Sequence, residues 1–282
     1  MLRKFFIFLG ILFLAVFGTC FYLYTAATQL PDNHPQTFLN KKVAANQKVV
    51  VCVGDSLTHG RVSHNYVDEL DGRFPGDYRF VNAGINSELA YNVLQRIDAV
   101  IALNPDYITI LIGSNDALGS LGEQSAQRYI KKWQLPQAPD RMWFRENLTK
   151  IVMRLQKETR ARIALLSLPP ITEKIGHPGY LQARAYSAVI REIAQERQLA
   201  YLPLNEILTF AIEGEIRENA LVFKGPERTL LYKAIVSHYL LGRSWDSIAL
   251  KNGFIFLTDF IHLNAKGAGI AADLIDAFIR HN

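Results

Sequence analysis

KVVVCVGDSLTHG, residues Lys48–Gly60, is the stretch from which the fold follows. Its first six residues are apolar apart from Lys48 and mostly β-branched, at the length of a strand, and Gly54-Asp55-Ser56 then breaks the run. Such a run shows no polar alternation, so it predicts a strand buried on both faces, as in a parallel sheet covered by helices. Three further runs repeat the pattern: Arg79–Val81, Tyr107–Ile112 (YITILI) and Arg162–Leu168 (RIALLSL). Amphipathic helical patterns at Leu89–Leu103, Trp143–Glu158 and Leu181–Gln198 are interleaved with them. This alternation predicts an α/β fold around a central parallel sheet, whose functional site lies at the carboxyl ends of the strands. Val53, Ile112 and Leu168 each run into Gly, Ser, Asn or Pro there.

The 282 residues hold 31 basic and 26 acidic side chains, a net charge of +5, with no Lys/Arg run dense enough to mark a nucleic-acid groove. Phe5–Tyr24 contains only Gly10, Gly18 and Thr19 outside the apolar set. A run of roughly twenty such residues is long enough to span a bilayer. Arg3 and Lys4 precede it, whereas Thr25–Asn40 holds no Lys or Arg, which predicts a cytoplasmic amino terminus and an exported chain. The expected organisation is a signal-anchor segment over 1–27, a tether over 28–47 containing Pro31 and Pro35, and a single folded domain over 48–282. Thr25-Ala26-Ala27 leaves a cleaved, secreted form as the alternative. The two cysteines, Cys20 and Cys52, fall in the apolar segment and a buried strand and are not expected to pair.

Four blocks at or near strand ends carry chemistry. Gly54-Asp55-Ser56 offers a nucleophile beside glycines that let a ligand approach. Asp259-Phe260-Ile261-His262 places a carboxylate three residues before an imidazole, where it can hold Nδ1–H and leave Nε2 to take a proton. Asn82-Ala83-Gly84-Ile85-Asn86 and Gly113-Ser114-Asn115-Asp116 offer the N–H donors an oxyanion needs. Each alone is ordinary turn chemistry. Neither Gly-x-Ser-x-Gly nor a Walker loop is present, and His34, His64, His177, His238 and His281 lack ligand spacing, so no metal is expected. His59, three residues after Ser56, competes for the role of base; Asp55 and Asp116 read as turn-fixing groups.

Taken in order, the four blocks resemble the GDSL family of hydrolases, also called the SGNH superfamily, from about Lys48 to the end of the chain. The resemblance implies a three-layer α/β/α sandwich, with Ser56 as nucleophile, His262 as base and Asp259 as its orienting carboxylate. It implies an oxyanion hole made from the N–H groups of Ser56 and Gly84 and the side chain of Asn115, gives His59 no role, and requires no cofactor. Phe260 departs from the small residue common in relatives. The expected activity is hydrolysis of a carboxylic ester, a small molecule or a lipid, with an acyl lipid or lysophospholipid favoured by the anchor and by the apolar stretch Leu221–Leu241. A carbohydrate O-acetylesterase, an acyltransferase on an exported glycan and a non-catalytic binding module are the alternatives. Two insertions, about 117–142 and 205–253, match no element of the alternation. They hold Trp133 and Trp245, with Trp143 at an edge, and are expected to form satellite cores or a cleft wall.

Overall fold

The structure is a computed structural model that describes residues 2–39, 47–215, 217, 220–225 and 228–281. Five strands form one parallel sheet: β1 (Lys48–Gly54), β2 (Tyr78–Gly84), β3 (Tyr107–Leu111), β4 (Arg162–Leu166) and β5 (Ala200–Leu202), in the order β2-β1-β3-β4-β5. The first four are the strands expected from their apolar runs. β5 has three residues, too few to stand out in the sequence. Helices α1 (Leu2–Thr28) and α2 (Pro35–Phe38) precede the sheet, α3 (Ser56–His59) and α4 (Tyr66–Arg73) join β1 to β2, and α5 (Ala90–Gln95) and α6 (Ile97–Ile101) join β2 to β3. Between β3 and β4 lie α7 (Ser114–Gly119), α8 (Glu123–Trp133) and α9 (Arg141–Glu158). Then come α10 (Pro178–Glu196) before β5, and α11 (Leu204–Gly214), α12 (Thr229–Tyr239), α13 (Trp245–Lys251) and α14 (Ala265–Arg280) after it.

Val50 to Val53 are fully buried at the centre of the sheet. Each buried valine is worth roughly 1.5–3 kcal/mol, against about 1–2 kcal/mol of backbone entropy per fixed residue, so β1 more than holds itself in place. Two helix groups cover the sheet: α4 packs with α14, and α5, α6 and α10 pack with α9. The chain leaves β1 for β2 on one side and returns to β3 on the other, so the strand order reverses at β1. That reversal opens a crevice beyond the carboxyl ends of β1 and β3.

The helix expected over Leu89–Leu103 is broken at Arg96. Arg96 donates to the strand-end carbonyls of Ala83 at 2.8 Å and Gly54 at 3.3 Å, and pairs with Glu88 at 2.7 Å. The two stretches read as insertions are largely helical, supplying half of α7, all of α8, α11 after Leu204, and all of α12 and α13. Trp143 stacks on Tyr91 and Trp245 on His238, both as packing residues.

α1 is about 40 Å long by its residue count, long and apolar enough to cross a membrane, and its side chains from Phe5 to Phe21 are largely exposed. Its last turns are not free of the domain. Ala27 is buried with Val62 and Ile235, and Leu23, Leu231 and Tyr239 pack around them. The chain that follows also lies on the domain over 29–39: Asn33 Nδ2 donates to Phe80 O, the Asn82 N–H donates to Asn33 O, and Phe38 joins the core. Residues 40–46 of the stretch read as a tether lie outside the described residues.

β1 ends in a glycine because nothing larger fits. A Cβ on Gly54 would stand 2.0 Å from Thr58 Oγ1 and 2.6 Å from Leu111 O. Gly54→Ala is therefore expected to destabilise the domain by about 2–3 kcal/mol in urea unfolding, as overpacking does. A loss under about 0.5 kcal/mol, the range of neutral surface changes, would mean that α3 and β3 do not press on that strand end.

Candidate active site

Directly after β1, Asp55 caps α3, its carboxylate accepting the Leu57 N–H at 3.0 Å. Ser56 is the first residue of that turn, where an N–H finds no acceptor within the helix. Gly60, with φ of 74°, closes the turn by donating its N–H to Ser56 O. The Ser56 side chain is thereby fixed at the carboxyl end of the central strand, only 6 % exposed.

Asp259 builds the opposing piece. Its Oδ1 accepts the N–H groups of Ile261 at 2.8 Å and His262 at 2.9 Å, and its Oδ2 accepts Nδ1–H of His262 at 2.7 Å. One carboxylate thus shapes the turn and sets the imidazole tautomer. Nε2 is left as acceptor for the Ser56 hydroxyl, 2.9 Å away. Burial pushes the His262 pKa down, but the charge and hydrogen bond of Asp259 outweigh it and leave it above its ordinary value. Burial also opposes ionisation of Asp259, yet His262 and the backbone donors hold it below the usual carboxylate range.

The β4–α10 loop clamps this turn from behind. Glu173, buried, accepts the backbone N–H groups of Ile255, Phe256 and Leu257 at 2.7, 2.7 and 2.9 Å. Thr172, in left-handed backbone at φ of 65°, donates its N–H to Phe260 O. Sequence reading missed both residues, because a lone Glu in a loop carries no motif.

Gly84, an oxyanion donor by the resemblance, is engaged elsewhere. The N–H of Gly84 donates to Asn82 Oδ1 at 3.0 Å, and Gly84 does not line the cavity beside Ser56. Its glycine serves close approach instead, since a Cβ there would lie 2.2 Å from the His59 nitrogen. Asn82 completes this latch by donating to Thr58 O at 2.7 Å. Ser87, three residues on, does line the cavity, sits in left-handed backbone at φ of 66°, and accepts Trp133 Nε1–H at its carbonyl. The sign available in the sequence was only a polar turn after β2. Asn115 reaches the cavity too, with Nδ2 donating to Asp55 Oδ2 at 3.1 Å and Glu88 O at 3.0 Å, while Oδ1 accepts from Tyr129.

His59 is turned away from Ser56, its Nε2 bonded to Gln29 O at 3.0 Å. Asp116 accepts the Ala90 N–H at 3.1 Å as well as its own backbone N–H, so it ties the β2–α5 connection to its own turn. Burial pushes both Asp55 and Asp116 up to about 7. Among the described residues no group of His, Cys, Asp or Glu side chains is placed to hold a metal ion.

Ser56, His262 and Asp259 border a cavity of about 650 Å³. Its walls come from α1 (Leu23, Ala27), α8 (Arg128, Lys132) and α12 (Leu231, Ile235), so both insertions line it. Such a volume and apolar lining suit a small-molecule or acyl ligand. Chemically, the arrangement pairs a hydroxyl with a base oriented by a buried carboxylate, next to a free helix-start N–H.

The GDSL-like lipase/acylhydrolase family matches the chain over residues 52–270. No curated protein sequence matches it significantly. Among solved structures, an acetyl xylan esterase superposes with a TM-score of 0.55 at 20% identity, covering 82% of this chain and 99% of its own. An acetylxylan esterase from Geobacillus stearothermophilus gives a TM-score of 0.58 at 17% identity, covering 84% and 97%. An alpha/beta hydrolase from the metagenome of Lake Arreo, Spain, gives 0.55 at 18%, covering 83% and 95%. At such identities the likeness is one of fold.

The clamp on the Asp259 turn can be tested. Glu173→Ala removes one acceptor from three buried N–H groups, each costing roughly 1–3 kcal/mol when unsatisfied, so a loss of about 3 kcal/mol or more is expected in urea unfolding. A loss under about 1 kcal/mol would show that the turn stands without it.

Proposed function

The chain belongs to the GDSL-like lipase/acylhydrolase family and is an ester-bond hydrolase; from that premise we propose that it is a serine esterase working through Ser56, His262 and Asp259. The observation that carries the reading is the unbroken relay from Ser56 Oγ to His262 Nε2 at 2.9 Å and from His262 Nδ1 to Asp259 at 2.7 Å. His262 takes the hydroxyl proton as Ser56 Oγ attacks the ester carbonyl, and Asp259 stabilises the imidazolium. The alcohol leaves with that proton. His262 then deprotonates a water, which cleaves the acyl-serine and releases the acid. A Ser–Asp–His set is in keeping with the Geobacillus esterase, three of whose solved variants are described as catalytic mutants at an Asp, a Ser and a His.

The oxyanion would meet the N–H of Ser56, with Ser87 replacing Gly84 as the second backbone donor and Asn115 Nδ2 as the third. Asn115 can serve by sharing the hydrogen it now gives to the Glu88 carbonyl. Ser87 suits the role because it lines the cavity in left-handed backbone and its carbonyl is pinned by Trp133.

The substrate class we favour is an acyl ester drawn from a membrane. The support is the apolar wall that α1 lends to the cavity, together with its tethering: Asn86 Nδ2 donates to Ala27 O at 2.8 Å, and His59 binds Gln29 O. Cleavage after Ala27 would strip that wall, which argues for an uncleaved anchor with the domain on the extracytoplasmic side. A carbohydrate O-acetylesterase remains the second reading, favoured by the names of the structural neighbours.

Ser56→Ala and His262→Ala should each lower kcat by at least about a thousandfold, the scale of triad knockouts, and His59→Ala by far less. Undiminished turnover by Ser56→Ala would overturn the assignment. Because His262 must be neutral and its pKa lies above the ordinary 6.5, kcat/KM should fall as pH drops through a value above 6.5. A profile flat from about pH 5 to about pH 8 would contradict a histidine base.

For the substrate, a chain beginning at Gln29 should keep hydrolysing p-nitrophenyl acetate yet lose at least about tenfold on the dodecanoate, since part of the acyl wall is gone. Equal loss on both esters would assign α1 to folding alone. Acetylated xylooligosaccharides outpacing every long-chain ester would move the case to the carbohydrate reading.

A further inference from the structure

Tyr129 and Trp133 lie one helical turn apart on one face of α8. Each donates a hydrogen bond to a residue that lines the cavity together with Ser56. The Tyr129 hydroxyl donates to Asn115 Oδ1 at 2.7 Å, and Trp133 Nε1–H donates to Ser87 O at 2.7 Å. Neither bond can run the other way, since an amide or peptide oxygen only accepts. Burial holds the Tyr129 phenol well above its ordinary pKa, so the donor keeps its proton. The ring is seated as firmly as the hydroxyl: it is buried against Gly119, where a Cβ would come within 3.2 Å of its Cδ2.

The two acceptors belong to the residues that the esterase reading assigns to the oxyanion besides the Ser56 N–H. In Asn115, Nδ2 faces Asp55 Oδ2 at 3.1 Å and Glu88 O at 3.0 Å. The Tyr129 bond locks the third side of that amide, and by drawing charge onto Oδ1 it makes the Nδ2–H groups better donors. Ser87 needs a different restraint. At φ of 66° it sits in left-handed backbone, a strained conformation that persists only where the surroundings impose it, and Trp133 grips its carbonyl. Both bonds come from one helix of the first insertion, outside the strand–helix alternation that builds the sheet. Pegs that merely fastened α8 to the domain could land on any polar group; these two land on the oxyanion donors.

We propose that Tyr129 and Trp133 are positioning residues for the transition state: through them α8 holds the Asn115 amide and the Ser87 backbone where the oxyanion forms. The insertion then sets the rate of the chemical step as well as the shape of the cavity. The proposal rests on the esterase reading above and deepens it by naming what aligns its oxyanion donors. Both residues act through Asn115 and Ser87, not on the substrate. Donors aimed in advance at the developing charge avoid reorganisation during the reaction, and a misplacement of about 1 Å can cost on the order of a hundredfold in rate. Because the full charge exists only in the tetrahedral state, the loss falls on kcat and leaves KM alone.

The test uses the full chain in micelles of an uncharged detergent, with p-nitrophenyl acetate as substrate. Tyr129→Phe deletes one oxygen and keeps the ring; Trp133→Phe deletes the indole N–H. Each should lower kcat by at least about tenfold, with KM within about twofold and the acid limb of the pH profile unmoved, since His262 is untouched. Asn115→Ala separates positioning from a structural role. In that background Tyr129→Phe should cost less than about twofold, because its target is gone, whereas Trp133→Phe, acting through Ser87, should keep its full factor. A trifluoromethyl ketone gives a second readout: Ser56 Oγ adds to its carbonyl carbon, the serine proton passes to His262, and the carbonyl oxygen becomes the oxyanion. Its Ki should rise by the factor by which kcat/KM falls. Unchanged kcat, a loss carried by KM, or an equal loss from Tyr129→Phe with and without Asn115 overturns the role and leaves the triad standing. Should Tyr129→Phe not fold, the kcat and Ki of Trp133→Phe decide alone. Undiminished turnover by Ser56→Ala would instead remove the esterase reading, and this proposal with it.

Discussion

The hydrogen bond from the Ser56 hydroxyl to His262 Nε2 joins residues 206 positions apart, and both ends must be held within a few tenths of an ångström. On one side the holding is done by β1. Its buried valines fix the strand, Gly54 lets α3 and β3 close on its end, and Asp55 sets the turn that presents Ser56. On the other side no strand is available. A loop is held by side-chain acceptors instead: Glu173 beneath Ile255–Leu257, Asp259 beneath Ile261 and His262, and Asn264 capping α14 through the Gly267 N–H.

Several buried carboxylates crowd this end of the sheet, and their surroundings separate their roles. Burial drives Asp55 and Asp116 toward the neutral form, to about 7, and outweighs the opposing contacts of Asp55 with the Leu57 N–H and of Asp116 with the Ala90 N–H and its own N–H. Asp259 is as deeply buried, yet the imidazole and two backbone donors keep it ionised. An ionised Asp259 raises the proton affinity of His262, which is what a base needs. The same burial that would penalise an isolated charge strengthens this pair, because little water screens it.

Much of this was legible in the residues. Unbroken apolar runs at strand length announced the parallel sheet, and Asp259-x-x-His262 announced a carboxylate within reach of its imidazole. Three things were not legible. The engagement of the Gly84 N–H was one, because a glycine at a strand end serves close packing and ligand approach equally well; only the structure places Asn82 Oδ1 against that N–H. Ser87 was hidden because a left-handed φ at a non-glycine is set by tertiary contacts, here Trp133 from an insertion. The docking of α1 was hidden as well, since apolarity sufficient for a membrane masks the few positions, such as Ala27, that also face protein.

That docking ties location to chemistry: a helix long and apolar enough to cross a membrane also walls the cavity beside Ser56. The account stands or falls on Ser56 being a nucleophile activated by His262. The most direct measurement is peptide mass mapping after reaction with a fluorophosphonate. The account predicts one phosphonyl adduct on the peptide bearing Ser56, absent when His262 is replaced by alanine. An adduct on another serine, Ser87 or Ser114 for example, or an unchanged adduct without His262, would contradict it.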